Sequence, residues 1–103
     1  MKRLGTREAP RRDDRPATQL LHDSADVRVV AFHLQPGQEV KPHRSSSTVL
    51  LQVIEGEGVF SGADSESRLT AGEAALFDRE EMHGIRAVEW ALRFLAIITP
   101  RPA

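Results

Sequence analysis

The sequence predicts an all-β fold, a barrel or sandwich of short strands, and three observations carry that prediction. Apolar residues alternate with polar ones in runs of four to eight. Turn residues interrupt these runs at short intervals. No amphipathic helical period persists over three turns. A chain of 103 residues corresponds to one domain with one core.

Met1 to Pro16 reads as a charged arm, with Lys2, Arg3, Arg7, Arg11, Arg12 and Arg15 set against Glu8, Asp13 and Asp14. Pro10 and Pro16 break any helix there, so a solvated, loosely docked terminus is expected. The barrel is placed at residues 17–99. Thr18 to His22 is a short extended piece, Asp23-Ser24-Ala25-Asp26 a turn, and Val27 to Leu34 an alternating strand. Pro36-Gly37 turns the chain again. In the central strand, Val49, Leu51 and Val53 share one face while Leu50, Gln52 and Ile54 share the other, which marks a strand covered on both sides. Gly56-Glu57-Gly58 reads as a turn linking it to Val59-Phe60. Glu66 to Thr70 and Ala74 to Phe77 are further strands, the segment from Met82 to Ala87 has no strand assigned, and Trp90 to Thr99 is the long last strand. Pro100 and Pro102 open a tail of residues 100–103.

Composition narrows the function classes. Without cysteine there is no disulfide framework and no thiolate metal site. A formal charge of -1 gives no global case for nucleic acid or a membrane surface. No apolar run approaches the roughly 20 residues of a membrane span, and no signal-peptide pattern opens the chain. A cytoplasmic location is the resulting expectation. Gly56-Glu57-Gly58 opens no helix and so makes no phosphate cradle, and no Ser-His-Asp order accompanies a nucleophile turn.

The spacing of glycines and histidines carries more. Five residues separate Gly37 from His43, twelve separate His43 from Gly56, and ten separate Gly72 from His83. With these intervals the chain resembles the cupins, specifically the small single-domain, RmlC-like ones. The first cupin motif reads Gly, five residues, His, one, His, three or four, Glu, six, Gly, and it falls on Gly37, His43, Ser45, Val49 and Gly56. The second reads Gly, five, Pro, one, Gly, two, His, three, Asn, and it falls on Gly72, Asp78, Glu80, His83 and Ala87. The resemblance covers about residues 17–99 and implies a double-stranded β-helix, a jelly roll of two antiparallel sheets.

It also implies a site. Family members usually hold a divalent metal with the two histidines and the glutamate of the first motif and the histidine of the second. Here His43 and His83 remain, while Ser45 and Val49 stand at the other two positions. A hydroxyl is a poor ligand for a first-row metal and valine is none, whereas catalytic sites normally keep about three protein ligands. The expectation is therefore a small-molecule site in the barrel mouth, with a divalent metal (zinc, nickel, iron or manganese) held only weakly by His43 and His83. The plainer alternative is a metal-free pair of pocket histidines bonded to each other, to Ser45 or to water. If the extended run reaches back from the central strand without a bulge, His43 and Ser45 share the parity of Val49. Ser45, Val49, Leu51, Val53 and Phe77 are the expected lining.

Glu39, Glu80 and Glu81 are candidate third ligands that read more naturally as solvated turn residues. His33 reads as a satisfied core or edge residue and His22 as exposed. Arg93 reads as facing solvent or a subunit interface more readily than as an anchor for an anionic ligand in the pocket. Metal-free acid-base chemistry of the kind found in cupins that resemble sugar epimerases pairs histidine with tyrosine, and this chain has no tyrosine. Two other classes stay open: a metal-dependent oxygenase or isomerase, and a non-catalytic sensor or regulatory module contacting its partner through the basic arm. The second face of the central strand needs cover, so a homodimer is expected.

Overall fold

The computed structural model describes residues 1–5 and 10–102. Arg7 and Glu8 of the arm and Ala103 of the tail lie outside the described residues. Eight strands are present among the described residues: β1 (Ala17–Asp23), β2 (Arg28–Leu34), β3 (Glu39–His43), β4 (Thr48–Ser61), β5 (Glu66–Thr70), β6 (Ala74–Phe77), β7 (His83–Arg86) and β8 (Leu92–Thr99). Every pairing is antiparallel, and the hydrogen-bonded order is β1-β2-β8-β4-β7-β3, with β5 and β6 each also paired to β4.

β4 makes this one curled sheet with two layers. Its first part, Thr48 to Gly56, lies beside β8, with β6 on the other side; its second part, Glu57 to Ser61, pairs with β5, and its last three residues pair with β7 as well. The sequence led us to expect a turn at Gly56-Glu57-Gly58, but the strand runs through. A register slip between Val53 and Glu55 bends it, and Gly56 takes a positive φ of 84°. A side chain at Gly56 would strike the carbonyl of Ala91, so the bend requires glycine there; one at Gly58 would meet the tip of the Leu92 side chain, which would have to shift.

Alternation then sorts the side chains. Leu92, Phe94 and Ala96 of β8 stand opposite Leu34, Phe32 and Val30 of β2 on one side; on the other, Ala96 and Phe94 meet Leu51 and Val53 of β4. These residues point inward, where Leu34, Val53, Leu92 and Phe94 are almost wholly buried. Phe94 is the hub. It stacks on Phe32 at 4.8 Å and meets the edge of Phe60 at 5.7 Å. Burying a side chain of this size contributes about 2–3 kcal/mol.

Several strands differ from the sequence reading, among them Glu39–His43, which follows the Pro36-Gly37 turn and forms β3 through its ladder with β7. Residues 83–86 form β7, because they lie between β3 and the end of β4 and complete the second layer. The last strand begins at Leu92, where its ladder with β4 reaches Gly56, so Trp90 lies outside it and is 60% exposed. Part of the arm is held: the Lys2 amine lies 3.1 Å from His22 Nδ1, and the Gln38 amide donates to the Arg12 carbonyl.

Candidate functional site

The open end between the layers holds a cavity of about 420 Å³. Its walls are apolar, from Phe32, Val49, Leu51, Ile85, Phe94 and Ile98 among others. Its polar lining comes from His43, Arg44, Ser45, Ser46 and His83.

The two histidines reach it from neighbouring strands. His43 closes β3, His83 opens β7, and the two are partners in the β3–β7 ladder. Their rings meet edge to face with centroids 4.2 Å apart. Each ring is held by a backbone carbonyl two residues earlier: His43 Nδ1 lies 3.0 Å from the Lys41 oxygen and His83 Nδ1 lies 3.2 Å from the Glu81 oxygen. A carbonyl can only accept, so in the neutral form of each ring Nδ1 carries the proton and Nε2 keeps its lone pair. His43 is exposed at the rim, whereas His83 is 4% exposed and rests against Phe77. Burial lowers the His83 pKa below the usual imidazole value; the hydrogen bond to Glu81 opposes that shift and the nearby His43 adds to it.

The rim is built from two short loops. Residues 44–47 separate β3 from β4, so His43 and Val49 reach the cavity from different strands rather than along one unbroken run. Ser45 Oγ accepts from the Ser47 amide, and the buried Ser47 hydroxyl donates to the Pro100 carbonyl at 2.6 Å. The Glu80 amide donates to the Ser45 carbonyl, and Arg44 Nε donates to the Glu80 carbonyl. These bonds tie the loop before β4 to the loop before β7.

Of the residues expected to line the site, Ser45, Val49 and Leu51 border this cavity together with both histidines. Val53 and Phe77 do not. Val53 pairs with Phe94 deeper in the barrel, where Phe60 and Phe94 fill the space. Phe77 stands behind His83 and faces a second hollow, shared with Phe60, Leu69 and Glu81. Phe32, Ile85, Phe94, Ala96 and Ile98 were not foreseen as lining. The period-two alternation of β8, which puts Phe94, Ala96 and Ile98 on one face, was the available signal. Arg44 and Pro102 gave none, because loop and tail geometry places them.

Among the described residues, no group of three or more His, Asp or Glu side chains could hold a metal ion. The donor set therefore fits only part of a first-row metal shell. Glu39 and Glu80 are exposed, and the Glu81 carboxylate accepts from the Asp78 amide. His33 Nδ1 is buried without a hydrogen-bond partner among the described residues, so that ring is not satisfied as expected. His22 is half-buried rather than exposed, and its Nδ1 lies beside the Lys2 amine. Arg93 lies on the outer side of β8 and pairs with Glu55 at 3.6 Å.

The cupin-domain family model matches residues 30–98, and the chain belongs to that family. An RmlC-like cupin protein from Desulfovibrio desulfuricans is similar in structure at a TM-score of 0.85 and 33% identity, over 97% of each chain. TT1209 from Thermus thermophilus has a TM-score of 0.90 at 26% identity, over 99% of this chain and 100% of that one. KdgF from a Halomonas species has a TM-score of 0.80 at 20% identity, over 86% of this chain and 83% of that one, a likeness of fold alone. No curated protein matches. Among the described residues, no helix is long and apolar enough to cross a membrane.

Proposed function

We propose that this cupin binds a small molecule in the barrel mouth and holds a divalent metal only weakly, through His43 and His83. The observation that carries the reading is the cavity itself: about 420 Å³ of mostly apolar wall with polar groups gathered at one end. Ligand pockets have this make-up, an apolar body that gives affinity and a few polar groups that orient. The donor set supports the second half of the proposal. Two neutral imidazoles offer two lone pairs, and serine and valine stand where the family pattern has further ligands. When bound, a metal would supply a Lewis-acidic centre for oxygen or nitrogen groups of the guest. The protein's own residues seat the guest's apolar part and keep both rings in one tautomer.

The test uses N-phenyl-1-naphthylamine, an uncharged dye that brightens in apolar cavities. The wild type is expected to bind it, and Ala96→Phe, which fills the cavity, to bind it at least about tenfold more weakly. Equal brightening in the two proteins would refute the site. Calorimetric titration with zinc or nickel should show weak uptake that disappears in His83→Ala. Equal uptake by both proteins would remove the histidines from the metal site.

A further inference from the structure

The polar lining of the cavity has a definite chemical sense. Among its lining residues there is no carboxylate, so a cationic guest would leave water without a counter-charge. The cation of the lining, Arg44, gives its Nε to the Glu80 carbonyl and keeps its terminal N–H groups, but it stands exposed at the rim, where water and salt screen its charge, rather than beside the buried ring. Deeper in, the buried polar group is His83, whose Nδ1–H is spent on the Glu81 carbonyl. The ring nitrogen left to the guest is Nε2, an acceptor, and His43 is held in the same state beside it. An anion placed there would face lone pairs. A pure hydrocarbon would desolvate Nε2 and return nothing, at a cost of about 1–3 kcal/mol. A hydroxyl group meets the requirement, since it donates to Nε2 and can accept from the serine hydroxyls at the rim.

Resting on the small-molecule reading above, we propose that the guest is an uncharged hydroxylated molecule with a compact apolar body, a phenol or alicyclic alcohol, whose hydroxyl donates to the imidazole Nε2 of His83 or His43. The body lies between the Phe32–Phe94 stack and the aliphatic wall of Val49, Leu51, Ile85 and Ile98. The site discriminates by the direction of one hydrogen bond. It separates a hydroxyl from its own methyl ether, which occupies the same space but cannot donate.

The experiment holds the apolar body constant. Binding of 2-naphthol, 2-methoxynaphthalene, 2-naphthoate and 2-naphthylmethylamine is measured by amide chemical-shift titration at pH 8 with chelator present, so that no metal occupies the ring nitrogens. The expected result is a Kd for 2-naphthol at least about tenfold below those of the other three. That advantage should shrink several-fold in His83→Leu and in His43→Leu. The second variant alters an exposed ring and so keeps the fold. Naphthoate, amine or ether binding as tightly as naphthol overturns the assigned guest class while leaving the cavity as a binding site. An advantage unchanged in both variants overturns it as well. If none of the four shifts the cavity amides, this inference falls together with the proposed function.

Discussion

Glu80 shows how one residue shapes the rim. Its φ is 66°, in the left-handed region that side chains other than Gly and Asn adopt at a cost of about 1–2 kcal/mol. The second cupin motif has glycine at this position. Here the conformation persists because the Glu80 amide and carbonyl are both engaged, by the Ser45 carbonyl and by Arg44 Nε, which joins the two rim loops. The Glu80 side chain is exposed. Replacing it with glycine removes the steric penalty and adds some unfolded-state entropy. Glu80→Gly should therefore raise unfolding stability by about 0.5–1 kcal/mol, read from urea midpoints at constant slope. An unchanged or lowered midpoint would mean that the strain is absent or already offset by the side chain.

Among the elements, β4 decides whether a site exists. It gives Val49 and Leu51 to the cavity, then crosses at Gly56 to the second layer, where its last residues pair with β7, the strand that carries His83. Gly56→Ala would force a β-carbon into the Ala91 carbonyl while φ stays positive. Backbone cannot move aside as a flexible side chain can, so the loss should reach about 3 kcal/mol or more. Thermal unfolding of the variant checks this, and a loss under about 1 kcal/mol would show that the crossing tolerates a side chain. This element also marks the reach of sequence reasoning. The face shared by Val49, Leu51 and Val53 follows from parity alone. Parity does not say how far along that face the hollow extends, and Val53 and Phe77 fall outside it because Phe60 and Phe94 take up the space.

For the whole molecule, the outer face of the first layer leaves part of an apolar row open to solvent. Leu76, Leu50 and Ile97 lie in register across three neighbouring strands; Leu76 is 65% exposed and Leu50 and Ile97 are half-buried, while Val29, next in the row, is already buried within the chain. A continuous apolar row on a sheet face is what a two-fold interface buries against itself. We propose that the protein is a homodimer through this face. Light scattering after size exclusion should give twice the 11.4 kDa chain mass for the wild type and the single mass for Leu76→Glu. Because Leu76 is exposed, the variant should keep its β-sheet circular dichroism spectrum. A monomeric wild type would refute the proposal.

Strand content, the positions of several turns and the spacing of the two histidine motifs were legible in the amino-acid sequence, because alternation and backbone-special residues are local properties. From them came the all-β class and the family resemblance, and the resemblance in turn implied the pairing of His43 with His83. Tertiary structure alone decided that residues 39–43 and 83–86 become paired strands, that β4 bends rather than turns at Gly56, and where the barrel is filled or hollow. It also decided that both imidazoles turn Nδ1 to a carbonyl and leave an acceptor beside the cavity. The reason is physical: periodicity tells a side chain which face to take, but the space and the hydrogen-bond partners on that face are set by residues far apart in the chain.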